Sequence, residues 1–166
     1  MHEYGSRFQL LRWRTPGGRK RLVWERLDDA GAWIPGLGGL PTSALPLYRE
    51  PDTMFAAAAG DPLFVVESES SVDALNRAGH YATTWPGGAS SPPLERLTAA
   101  LAGVPDVRIV ADHDDAGLRC ARRVLVAVPH ATGWLSPGPG DDVRDLLEHD
   151  PRLRTLRRLP PEGVRS

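Results

Sequence analysis

The residues best suited to chemistry are two acidic clusters, each placed where a short apolar run stops. Leu63-Phe64-Val65-Val66 leads into Glu67-Ser68-Glu69, and Val107-Arg108-Ile109-Val110-Ala111 leads into Asp112-His113-Asp114-Asp115-Ala116-Gly117. Apolar runs of this length, bounded by turn residues, are expected to be strands buried on both faces, as in a parallel sheet. Ligands of open α/β sheets sit beyond the carboxyl ends of such strands. Carboxylates gathered there repel one another: at an effective dielectric of ~20, two charges ~4 Å apart cost about 4 kcal/mol. A divalent cation that prefers oxygen relieves that repulsion, and Mg²⁺ is the usual one at phosphate chemistry.

The elements that must hold these clusters can be traced along the chain. From about residue 60, strands and helices alternate. Strands are expected at 63–66, 81–84, 107–111 and 131–135. Helices are expected at about 70–78, 94–101 and 115–126, and from a cap at Asp141 or Asp142 through Glu148. Leu118, Ala121, Val124 and Leu125 share one face of the third helix. This alternation predicts an α/β fold with a parallel sheet wound by right-handed crossovers. Ahead of it, residues 8–34 have the pattern of an antiparallel unit. Thr15-Pro16-Gly17-Gly18 is a turn signal, and residues 21–27 alternate apolar with polar. Gly36, Gly38, Gly39 and Pro41 mark a linker. The expected division is a β-rich, basic and aromatic unit at 1–44, a catalytic domain at 45–150 and a basic tail at 151–166.

Bulk properties narrow the function. No apolar run is long enough to span a bilayer, and the first residues lack the basic and apolar regions of a signal peptide. Cys120 is the single cysteine, which excludes an intramolecular disulfide and a zinc ribbon; a cytoplasmic location and a plain core role for Cys120 are expected. The net charge of −1 conceals +3 over residues 1–50, −8 over 51–150 and +4 over 151–166. Basic flanks around an acidic centre suit a polyanion-binding protein with a metal site; charge for solubility alone is the competing explanation. Lys20 is the only lysine, so mechanisms that need a lysine further along the chain are excluded. His113 has no His or Cys at ligand spacing, which argues against zinc.

Taken together, the segments resemble the TOPRIM domain, a Rossmann-like metal-binding module of topoisomerases, bacterial primases and some nucleases. The likeness is to primases of phages and mobile elements. Glu67-Ser68-Glu69 with Val72-Asp73-Ala74-Leu75 resembles the family's Glu-Gly-Glu and the Ala-Asp-Ala-Leu helix. Thr84-Trp85-Pro86-Gly87-Gly88 resembles its Thr-x-Pro-Gly-Gly. Asp112 to Gly117 resembles its Asp-x-Asp-x-Ala-Gly, and Gly140-Asp141-Asp142-Val143 its Gly-Asp-Asp-Val. Leu45-Pro46-Leu47-Tyr48-Arg49 resembles the lead-in to the domain. The likeness covers about residues 8–150 and implies a roughly four-stranded parallel sheet flanked by helices. It implies Mg²⁺ (or Mn²⁺) bound by Asp112 and Asp114, with Glu67 as a further ligand or general acid/base. The implied activity is DNA-primase nucleotidyl transfer: primer synthesis on single-stranded DNA from nucleoside triphosphates, with a helicase or zinc-ribbon partner supplying what this chain lacks.

Other roles stay open at this level. Glu69 is expected at a solvated helix start, with an accessory metal role as the alternative. Asp141, Asp142 and Asp145 are divided between capping and a second metal. Gly87 and Gly88 are either turn punctuation or phosphate-binding amides. Arg12, Trp13, Arg14, Arg19, Lys20, Arg21 and Arg26 form a basic, aromatic group suited to gripping phosphates and stacking on bases. Arg152, Arg154, Arg157 and Arg158 either track a nucleic-acid backbone or line a solvated helix. Three departures from the family pattern are notable. Ser68 replaces a glycine, Ser70-Ser71 replace Lys-Asp, and Pro139 replaces a lysine. A TOPRIM nuclease, or a binding accessory with a decayed site, are the competing functions.

Overall fold

Two sheets organise the chain, and the second carries both acidic clusters at one end. The structure, a computed structural model, describes residues 1–88 and 91–160. The first sheet is antiparallel in chain order: β1 (His2–Tyr4), β2 (Phe8–Arg14), β3 (Lys20–Leu27) and β4 (Trp33–Pro35). The predicted turn at Thr15 to Gly18 joins β2 to β3 and sets Arg14 opposite Lys20.

The second sheet contains β5 (Leu63–Val65), β6 (Tyr81–Thr83), β7 (Val107–Ala111), β8 (Thr132–Leu135) and β9 (Arg157–Arg158), in the order β6-β5-β7-β8-β9. The first four are parallel and β9 runs antiparallel to β8. The helices are α1 (Pro51–Ala59), α2 (Glu69–Arg77), α3 (Leu94–Leu101), α4 (Asp115–Ala127) and α5 (Val143–His149). Alternation along the strands builds one core on each face of this sheet. Leu63, Val65, Val107, Ile109 and Ala111 pack with Leu97 and Leu101 of α3 and with Cys120, Ala121 and Val124 of α4. Phe64, Val66 and Val110 pack with Val72 and Leu75 of α2, Val143 and Leu146 of α5, and Tyr4 and Leu10 of the first sheet. The basic unit therefore shares a core with the α/β domain. Full burial of each large apolar side chain among these contributes ~1.5–3 kcal/mol, so the strands that lead into the acidic clusters are held by packing on both faces.

Three elements depart from expectation. β1 is too short to show a pattern. α1 has apolar residues all round it, Phe55 through Ala59, so no periodic stripe announces it; Pro51 in its first turn and left-handed Gly60 after its end are the missed signals. The basic tail is not a solvated helix. Leu153 is buried and Arg157–Arg158 add a fifth strand, with the Arg158 guanidinium 4.3 Å over the Trp134 ring. Residues 161–166 of that tail lie outside the described residues. No helix among the described residues is long and apolar enough to cross a membrane.

Candidate metal and nucleic-acid site

The strand order explains why residues 45 positions apart meet. The chain leaves β5 for β6 on one side, then crosses to β7 on the other, so a crevice opens beyond the ends of β5 and β7. Pairing of Val65 with Ile109 sets the stagger, placing Glu67 and Asp112 at that crevice. Two helices begin beside it. Ser68 caps α2, accepting from the Ser71 N–H at 3.2 Å, and its backbone is extended (φ −138°, ψ 149°). Serine in place of glycine thus strains nothing here and supplies a cap. Asp114 caps α4 through Oδ1, which accepts from the Gly117 N–H at 2.7 Å. Gly117 itself is a close-approach glycine: a Cβ there would lie 2.5 Å from the Asp112 carbonyl oxygen and 2.8 Å from Glu67 Oε1.

The electrostatics are those of a site with an excess of negative charge. Burial first, then repulsion from Asp112 and Asp114, raise the Glu67 pKa to about 7, although the Asp112 N–H donates to it. Burial, then Asp142 and Asp114, raise Asp112 to about 6 against the opposing pull of Arg144. Glu67 Oε1 is buried without a hydrogen-bond partner. An orphaned carboxylate oxygen beside a second strained carboxylate is a donor set that suits a hard cation. Among the described residues no three His, Cys, Asp or Glu side chains gather tightly enough to hold a metal, consistent with Asp114 spending an oxygen on its cap. Glu67 and Asp112 lie together, with Asp114 near enough to raise the proton affinity of both. Two carboxylates are enough for Mg²⁺ when substrate phosphates and water complete the shell.

A cleft of about 650 Å³ reaches Asp112 of this pair. Arg12, Trp13, Arg14 and Lys20 line it from the first sheet, and Ser68, Ser70, Asp112, Asp142 and Arg144 from the second unit. Four of the seven expected basic and aromatic residues are therefore at the site, and Trp13 is half exposed. Arg19, Arg21 and Arg26 do not line the cleft; Arg26 Nη1 instead donates to the carbonyls of Pro35 and Gly36, at 3.2 Å each. A larger groove of about 740 Å³ beside α1 holds none of the expected site residues.

Glu69 corrects the solvated helix start. It is buried, accepts from the Tyr4 hydroxyl at 2.5 Å and pairs with Arg12 at 3.2 Å, tying β1 and β2 to α2. Asp142 caps α5 in a reciprocal capping box with Asp145 and is also held by Arg144. Asp141 and Asp145 line a separate cavity with His149 and Asp150. Gly87 and Gly88 are absent from the cleft lining, and both adopt positive φ while the Gly88 carbonyl accepts from the Trp85 indole at 2.8 Å, a turn's arrangement. His113 Nδ1 meets the Ser136 carbonyl at 2.8 Å. Arg144 was not anticipated; its place two residues beyond an aspartate N-cap was the available signal.

No protein-family profile and no curated protein sequence matches the chain. Solved structures do. A DNA primase domain from Pseudomonas aeruginosa superposes with a TM-score of 0.55 at 21% identity, over 90% of this chain and 51% of that one. The DnaG catalytic core gives 0.53 at 21%, over 84% and 47%. The chain has the fold of a DNA primase catalytic core. The primase fragment of the bacteriophage T7 primase-helicase gives 0.52 at 16%, over 86% and 59%, and one DnaG catalytic domain was solved bound to single-stranded DNA. The chain spans about half the length of the first two primase structures. The TOPRIM likeness seen in the motifs is thus matched by a likeness in fold over about half of those primase structures.

Proposed function

We propose that the chain carries out metal-dependent nucleotidyl transfer of the primase type, making primers on single-stranded DNA from nucleoside triphosphates. The observation that carries this is one cleft with two walls: Asp112, whose charge acts on its neighbour Glu67, on one side and Arg12, Arg14 and Lys20 on the other. Mg²⁺ held by Glu67 and Asp112 would neutralise phosphate oxygens and lower the proton affinity of an attacking 3′-hydroxyl. The chain's own residues do the rest. Arg14, Lys20 and Arg144 offset the charge of template and triphosphate, and half-exposed Trp13 offers a stacking face for a base. The Tyr4–Glu69–Arg12 chain fixes the basic wall against the acidic one, so the two stay in register. Without a cation, Glu67 retains its proton up to about neutral pH. A helicase or a zinc-ribbon protein is the partner class that would supply unwinding and start-site choice.

Incubation with single-stranded template, labelled ribonucleotides and Mg²⁺, alongside Glu67→Gln, tests this proposal. Primer synthesis lost in the variant supports it, and template degradation would replace it with a nuclease. Binding without turnover would favour a nucleic-acid-binding accessory. That second alternative is motivated by Ser70 and Ser71, whose hydroxyls lie 3.0 and 2.9 Å from Ser68 Oγ where the family has a charged pair.

A further inference from the structure

The cleft that Asp112 lines also holds Asp142, whose bonding differs from that of Glu67. Asp142 Oδ1 accepts from the backbone N–H groups of Arg144 at 2.7 Å and Asp145 at 3.4 Å. Its Oδ2 accepts from Arg144 Nε at 2.8 Å and from Arg144 Nη2. A carboxylate has about four lone-pair positions, so Asp142 has none left for a metal. Asp145, the other acid of this segment, gives Oδ2 to the Asp142 N–H at 3.0 Å. Glu67, by contrast, keeps a buried oxygen with no partner.

We propose that Arg144 is a built-in replacement for a second cation, so that the cleft takes one divalent ion, at Glu67 and Asp112. This rests on the cation-binding role given to that pair above. A guanidinium suits such a role because it is permanently charged, its fork matches a carboxylate in bidentate fashion, and it has only a weakly held hydration shell to lose. Arg144 lines the cleft beside Asp112, and its field opposes the rise in Asp112 proton affinity. It therefore sits where a second ion would offset the same charges and presents a positive group to a substrate phosphate. A further metal ion next to it would meet repulsion from the guanidinium and find Asp142 fully engaged.

Manganese titration of the full chain tests this, with bound ions counted by loss of the free-ion EPR signal and by calorimetry. The wild type should bind one Mn²⁺. Arg144→Met, which keeps the apolar stem and leaves the backbone cap of α5 intact, should bind two. Adding Asp142→Asn to that variant should restore a count of one, and Arg144→Lys, which keeps the charge, should also bind one. Two ions in the wild type, or one ion at unchanged affinity in Arg144→Met, would overturn the inference. No binding by either protein would overturn the cation role of Glu67 and Asp112 beneath it, and the inference with it.

Discussion

Replacing Glu67 with Gln should make the metal-free protein more stable while removing its affinity for a cation. The fold raises the Glu67 pKa from 4.5 to about 7. Between those values the folded chain binds a proton that the unfolded chain releases, so stability falls as pH rises and the penalty is complete above about 7. At ~1.36 kcal/mol per tenfold in proton affinity the full penalty is ~3 kcal/mol, and solvent screening at this partly buried position reduces it to ~1–2 kcal/mol. Gln is neutral at every pH and its amide oxygen can still accept the Asp112 N–H. For a chain of this size, ~1–2 kcal/mol corresponds to about 2–8 °C in Tm. Thermal unfolding with a chelator at about pH 8 should therefore show Glu67→Gln melting higher, and at about pH 5 the difference should shrink to roughly a quarter, because the folded carboxyl is then protonated while the unfolded one is mostly ionised. Mg²⁺ should then raise the wild-type Tm and leave the variant unmoved. A variant that melts at or below the wild type at the higher pH, or a gain of equal size at both, refutes the reasoning.

Other outcomes follow from the same contacts. Gly117→Ala places a methyl 2.5 Å from the Asp112 carbonyl oxygen; overpacking of this kind costs ~1–3 kcal/mol, read as a lower urea midpoint, and it should weaken Mg²⁺ binding too. Tyr4→Phe leaves buried Glu69 with one partner fewer and should cost ~1–3 kcal/mol by the same denaturation measurement. Binding of single-stranded DNA should weaken with salt, and Arg14→Ala/Lys20→Ala should lower the log–log slope by ~0.7 per lost phosphate contact. Arg26→Ala, whose side chain holds the β4 turn, should leave that slope unchanged.

The α/β half was legible because burial imposed simple patterns. Residues 63–66 and 107–111 are almost wholly apolar since both faces of their sheet are covered, and α3 coincides with its predicted span of 94–101. The central carboxylates were legible because strand ends precede them. What the sequence concealed is which acids are already engaged. Asp142 looks like a ligand in the sequence, yet local N–H groups and Arg144 occupy it, and Asp114 gives one oxygen to the cap of α4. Glu69 follows Glu67 by two residues, and only the packing of β1 and β2 reveals that Tyr4 and Arg12 bury it. β9 was hidden because two arginines at a sheet edge carry no apolar alternation.

Locating the bound cation tests the proposed metal site most directly. Fe²⁺ substituted for Mg²⁺, with hydrogen peroxide added as oxidant, generates hydroxyl radicals that cut the backbone nearest the metal. Cation binding by Glu67 and Asp112 predicts cuts around residues 67 and 112 in the wild type, suppressed by excess Mg²⁺ and absent in Glu67→Gln/Asp112→Asn. Cuts elsewhere, or an unchanged pattern in that double variant, would contradict it.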